Sequence, residues 1–201
     1  MNLIHQGKVK SIYETDKTYE VVVDFQDKIT AGNGEKNDYV VGKGLINSQI
    51  SAILFALLED SGIKTHFLRA DSVNQLRCKF CDILPLEVVV RNYVAGSLAK
   101  QTHMRTGIRL GYPLIDFYLK DDVLGDPLLT EDRMRNMGHS DILIRLLRKR
   151  ADEINYVLKA IFDSIGLHLI DFKLEFGHTI KDGTLVLVDE LSPDNMRLWS
   201  Q

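Results

Sequence analysis

The 201 residues, 45% hydrophobic and 26% charged, have an ordinary globular composition with enough apolar material for a substantial core. A net charge of −3 and a pI of about 6.1 exclude a general basic field for nucleic acid. No apolar run reaches the roughly 18 residues of a membrane helix, and Met1–Lys8 lacks the apolar stretch of a signal peptide, so the expectation is a cytoplasmic protein with no membrane partner.

Two strands open the chain, G-K-V-K-S-I-Y-E-T and Y-E-V-V-V-D-F, joined near Thr15-Asp16-Lys17. Lys8 and Lys10, two apart at the start of a strand, share a face beside Gly7, where backbone amides can approach an anion. The same pair also fits an ordinary solvated face. Neither a Walker A loop nor a dinucleotide glycine fingerprint is present. A polar loop over 27–38 leads to a helix from about Lys43, with Ile46, Ile50, Ile53 and Leu57 along one stripe and Gly62 as its stop. Residues 64–80 read as two further strands. Cys78 and Cys81 have C-x-x-C spacing but no second ligand pair, and are expected to be reduced, structural thiols.

The 82–85 stretch is expected as a hinge, dividing a β-rich lobe, 1–83, from an α+β lobe, 84–201. Leu86–Tyr93 is a buried strand ending in Ala95-Gly96-Ser97, where a short helix begins. Arg91 and Ser97 there fit either an anion site or a plain cap and ion pair. A loop-rich region containing Asp116, Lys120 and Asp126 follows. Residues 140–165 form the clearest helix, capped by Ser140, with Leu147, Ala151, Ile154, Leu158, Ile161 and Ile165 at spacings of three and four.

The most informative stretch runs from His168 to Trp199, two strand-like runs around Lys181-Asp182-Gly183. A three-residue loop sets Ile180 against Thr184 and Glu175 against Asp189, with Cβ atoms roughly 5 Å apart. Alternation places Asp171, Lys173 and Glu175 on one face. Facing carboxylates fit a divalent cation completed by phosphate oxygens, or a solvated outer face with no ligand. Ser192–Arg197 then carries Arg197 back toward that face. No zinc-hydrolase or nucleophile motif appears, and the kinase H-R-D-x-x-x-x-N and D-F-G elements are absent.

Together these segments resemble a known family. L-P-L-E-V-V-V-R-N-Y-V-A-G-S (84–97) and L-I-D-F-K-L-E-F-G (169–177) look like the two signature segments of the SAICAR synthetases. G-K-V-K-S-I-Y-E, D-K-I-T-A-G, L-K-D-D-V-L-G-D-P and D-E-L-S-P-D-N-M-R-L-W match in the same order, so the likeness runs from Gly7 to Trp199. The resemblance implies two α+β lobes with an ATP cleft between them. It implies an ATP-dependent ligase of purine synthesis joining L-aspartate to carboxyaminoimidazole ribonucleotide through an acyl phosphate. Carried over by position, Glu175 and Asp189 would hold Mg²⁺, Lys8 and Lys10 would contact ATP phosphates, and Lys173 would stabilise transferring charge. The Lys79–Ile83 segment would border adenine, with Glu87 nearby. Arg91, Ser97 and Arg197 would hold the nucleotide's phosphate, with Lys120 and Asp126 near the substrates. Homologues are commonly dimers, which leaves room for a homodimer.

Thr30, Asn33 and Gly125 depart from that pattern, where serine, aspartate and histidine are usual. The sequence also stops at Gln201, where the family normally continues through a basic segment and a C-terminal helix. The alternative expectation is therefore a truncated, inactive nucleotide-binding remnant.

Overall fold

The computed structural model describes residues 2–31 and 36–200, without the side chains of 30, 31, 36 and 37. The departures at Asn33 and at the Thr30 side chain lie outside the described residues. In chain order the elements are β1 Leu3–Gln6, β2 Lys10–Glu14, β3 Glu20–Phe25, β4 Lys28–Ala31, β5 Lys36–Tyr39, α1 Lys43–Asp60, β6 Phe67–Ser72 and β7 Gln75–Lys79. Then follow β8 Cys81–Tyr93, α2 Gly96–Thr102, β9 Arg109–Leu119, β10 Leu128–Leu129, α3 Glu131–Asn136, α4 Asp141–Ser164, β11 Leu167–Thr179, β12 Leu185–Val188 and β13 Met196–Ser200. The architecture is mixed α+β, as expected.

The chain forms two compact units, Met1–Leu84 with Phe176–Asp194, and Pro85–Glu175 with Asn195–Gln201. The first unit thus takes in Phe176–Asp194, which the division at 83/84 assigned to the later lobe. Backbone pairing explains the difference. His66 N–H donates to Leu187 O (2.8 Å), Leu187 N–H to Lys64 O (3.0 Å) and Ile180 N–H to Phe80 O (2.9 Å). These bonds satisfy main-chain groups that burial would otherwise leave unpaired. No break occurs at 82–85, since β8 runs through Pro85 as one strand.

In the first unit a five-stranded sheet has the order β1-β2-β3-β7-β6. Val21, Val23, Phe25, Leu76 and Cys78 form a buried cluster on it, with Ala52 of α1 packed against them. Helix α1 begins where both Asp27 carboxylate oxygens accept N–H groups, from Gly42 (3.1 Å) and Gly44 (2.9 Å). That satisfies donors a helix start leaves free. It ends as expected at Gly62, whose φ of 81° accompanies the Ile63 N–H to Leu58 O bond of 3.0 Å. Its buried face is not the expected one. Leu54, Phe55 and Leu58 are buried beside Asn47, Ser48 and Ser51, whereas Ile46, Ile53 and Leu57 are exposed. The helix is apolar on more than one side, so spacing alone does not select the face.

The second unit contains the run β10-β9-β8-β11, with β13 antiparallel to β11. Strand β9 is a correction. Asp116 sits in an 11-residue strand paired to β8, opposite Val89, and not in a loop. Helix α4 follows expectation: Ser140 accepts from Leu143 N–H (3.2 Å), and Leu147, Ala151, Ile154 and Leu158 are fully buried. Ile165, its C-cap, is exposed.

Candidate active site

The hairpin loop differs from expectation by one residue. Thr179 N–H donates to Thr184 O (2.9 Å), so Ile180 belongs to the loop and does not face Thr184. Asp182 accepts from Thr179 Oγ1 and from Thr184 N–H, which holds its carboxyl down at about 2. Glu175 and Asp189, paired in the sequence reading, belong to different units.

In the first unit, Lys10 forms ion pairs with Asp189 and with Glu190 (2.8 Å) and lies 5.7 Å from the centre of the Phe25 ring. Burial pulls its ammonium down, but the two carboxylates outweigh burial and hold it charged above its ordinary range. Asp189 adopts a φ of 66°, a left-handed conformation that β-carbon-bearing residues adopt at a cost. Glu190 is buried and accepts from Ser192 Oγ. Lys8 is exposed and does not share a strand face with Lys10. The Gly7 N–H bonds Lys10 O (2.8 Å), which turns the chain before β2 starts.

Lys79 donates to Thr65 O (2.8 Å) and lines a cavity of about 410 Å³ with Glu59, Lys64, Thr179 and Asp182. Ile83 lies where β8 passes Gly177 so closely that a β-carbon there would sit 2.8 Å from Asp82 O and 3.2 Å from Ile83 Cα. Glycine is required at that crossing. Cys78 and Cys81 are free thiols. Burial pushes both up, Cys81 to about 11, which favours the protonated thiol.

In the second unit the structure brings together four residues singled out from sequence. Glu175, 2% exposed, accepts from Lys120 on Oε2 and from Lys173 on Oε1 (2.7 Å). Lys173 also reaches Glu87 (3.0 Å). The result is an alternating row, Lys120–Glu175–Lys173–Glu87, in which a buried carboxylate is compensated on both oxygens. Glu87 therefore belongs with Lys173, in a different unit from Lys79 and Ile83. Asp126 serves its own loop: Oδ1 accepts the Asp121 N–H at 2.9 Å.

A second cluster joins Arg91, Ser97 and Arg197. Arg91, 4% exposed, donates Nε to Asp116 (3.0 Å), Nη1 to Asp171 (3.3 Å) and Nη2 to both Ser97 Oγ and Tyr118 Oη (3.0 Å each). Ser97 is therefore no cap, since Ala95 occupies that position. Burial lowers the affinity of Arg91 for its proton, and the bonds to Asp116 and Tyr118 more than restore it. Asp171 also accepts from Arg197 Nη1 (3.1 Å). Burial nevertheless leaves its carboxyl above the usual range despite the two guanidinium groups. Sequence reasoning placed Asp171 on the correct face but gave it no role, and overlooked Tyr118 and Glu190. The i, i+2 spacing of Asp171 and Lys173 was the available signal.

Among the described residues no group of three or more His, Cys, Asp or Glu side chains gathers as a metal cage. Glu175 and Asp189, the carboxylates expected to hold Mg²⁺, are each engaged by lysines. Mg²⁺ in general takes one or two carboxylates and completes its shell from phosphate oxygens and water.

The SAICAR synthetase family model matches residues 3–201. The phosphoribosylaminoimidazole-succinocarboxamide synthase of Staphylococcus carnosus is 44% identical over 100% of this chain and 86% of its own length. A solved SAICAR synthetase in complex with ADP superposes with a TM-score of 0.94 at 40% identity, over 99% of this chain and 84% of that one. The phosphoribosylaminoimidazole-succinocarboxamide synthase of Ehrlichia chaffeensis gives 0.96 at 37% identity, over 99% and 85%. The α+β fold together with these relatives places the chain among the ATP-dependent ligases. The chain belongs to the SAICAR synthetase family, the carbon–nitrogen ligases that form the succinocarboxamide in purine biosynthesis. The inactive-remnant alternative is not favoured.

Proposed function

We propose that the chain joins L-aspartate to carboxyaminoimidazole ribonucleotide through an acyl phosphate, with its cationic side chains distributed between the two phosphate-bearing substrates. A free carboxylate is a poor electrophile. Transfer of the ATP γ-phosphoryl group to a carboxylate oxygen makes the carbon attackable and releases ADP. The aspartate amine then forms the C–N bond, phosphate leaves with the C–O bond electrons, and the amine proton is lost.

The reading rests on one observation above all. Arg91, Ser97 and Arg197, from three separate elements, converge on one cluster in the second unit. A half-exposed guanidinium held by a carboxylate is suited to a phosphate monoester. In the first unit, Lys10 is charged and held in place, and with Lys8 it is assigned to ATP phosphates. Lys79 and Ile83 are assigned to the adenine side. Lys173 and Lys120, fixed by Glu175 and Glu87, would meet negative charge developing on the transferring group. Asp189 and Glu175 are the carboxylates assigned to Mg²⁺, which when bound would neutralise phosphate charge. Asp126 keeps an indirect role, shaping the loop after Lys120. A cytoplasmic location and a homodimer accompany this reading, the first supported by bacterial purine-enzyme relatives.

The test is ADP release with the purified chain, Mg·ATP and carboxyaminoimidazole ribonucleotide, with and without L-aspartate. Aspartate-dependent release accompanied by a succinocarboxamide product is expected. Phosphoryl transfer indifferent to aspartate, or no ADP release at all, would overturn the reading.

A further inference from the structure

We propose that Asp171 is a positioning residue for the nucleotide substrate, locking the Arg197 guanidinium in the pose that receives the substrate's phosphate. The inference rests on the assignment of the second-unit arginine cluster to that phosphate. Asp171 lies directly opposite Arg197 in the β11–β13 register, so the backbone ladder itself delivers the two side chains to each other. One oxygen, Oδ2, accepts from both Arg197 (3.1 Å) and Arg91 (3.3 Å). The Asp171 side chain is 7% exposed, whereas the Arg197 side chain is 48% exposed. A buried acceptor thus anchors one edge of an accessible guanidinium, which has five N–H donors in a rigid fork.

Gly96 supplies an independent observation. Its φ is 52°, and a β-carbon there would overlap the Arg197 guanidinium. The fork is therefore seated against backbone on one side and held by Asp171 on another. Arg91 is differently placed: buried, it already donates to Asp116, Asp171, Ser97 and Tyr118. It orients Ser97, while Arg197 presents the open charge. With Asp171 removed, Arg197 would keep its charge and lose its pose.

The experiment compares Asp171→Asn, Arg197→Met and the double variant by KM for each of the three substrates. Asp171→Asn is expected to raise KM for the carboxylated nucleotide about 10-fold while those for ATP and L-aspartate stay within about 2-fold. In the Arg197→Met background the same change should add less than about 2-fold, because the group it positions is gone. An equal rise in both backgrounds, or a rise in all three KM values, would assign Asp171 a general structural role and overturn the proposal. An unchanged nucleotide KM in Arg197→Met would instead overturn the phosphate-site assignment beneath it. Gly96→Ala provides a second route should Asp171→Asn not fold. It unseats Arg197 with Asp171 intact and should raise the same KM selectively; an unchanged KM in that variant counts against the pose.

Discussion

Glu175 accepts an ammonium group on each oxygen while almost wholly buried, an arrangement whose loss leaves two lysines without their shared partner. Glu175→Gln preserves shape and removes charge, so Lys173 and Lys120 should drift from their positions. Turnover is expected to fall by roughly 100-fold or more, the scale of losing a preorganised electrostatic group. The two lysines are partly solvated, so the melting temperature should change little; a near-normal rate would remove Glu175 from the machinery. His66 makes a different kind of prediction. It is buried against Phe55 and 3.7 Å from Cys78 Sγ, and burial pulls its pKa down to about 4 from 6.5. The unfolded chain therefore binds a proton between those values that the folded chain does not, and stability falls as pH drops from about 6.5 to 4. The lost stability is at most about 3 kcal/mol. Urea midpoints measured across that range should decline, and His66→Gln should flatten the decline. An unchanged slope would mean another group carries it.

At the scale of elements, legibility depended on whether local pattern and tertiary contact agreed. They agree in α4, where one apolar stripe and the Ser140 cap coincide, and Ser140→Ala should cost about 1 kcal/mol by denaturant unfolding. In α1 they disagree. Ile46, Ile50, Ile53 and Leu57 have helical spacing, but Leu54, Phe55 and Leu58 hold the core. Distant partners decide the matter: Ser51 Oγ donates to Leu191 O (3.2 Å) and Ser48 Oγ to Val73 O (3.0 Å). Nothing in the helix's own sequence announces those acceptors. Phe55→Ala should accordingly destabilise by about 3–5 kcal/mol and Ile53→Ser by under about 0.5 kcal/mol. Equal costs would restore the original stripe. β9 differs from the expected loop-rich region around Asp116 for a related reason, because the ladder to β8, and not the local pattern, makes it a strand.

At the scale of the molecule, the chain returns to its first unit after building most of the second, through Phe176–Asp194. The sequence contains no boundary residue at 175/176, since β11 continues straight across it. Only hydrogen bonds such as His66 to Leu187 reveal the return. The candidates Arg91, Ser97 and Arg197, named from the family's short collinear segments, do come together in one cluster. Their hydrogen-bond partners on other strands were not. This division yields a ligand test. A ligand bound only by the folded chain at 100 times its Kd stabilises it by about 2.7 kcal/mol. ADP with Mg²⁺ should raise the melting temperature of the native chain and of Arg197→Met alike, but have a much smaller effect on Lys10→Met. The carboxylated nucleotide should do the reverse, failing with Arg197→Met and persisting with Lys10→Met. Loss of both responses in either variant would break the assignment of ATP phosphates to the Lys10 cluster and substrate phosphate to the Arg197 cluster.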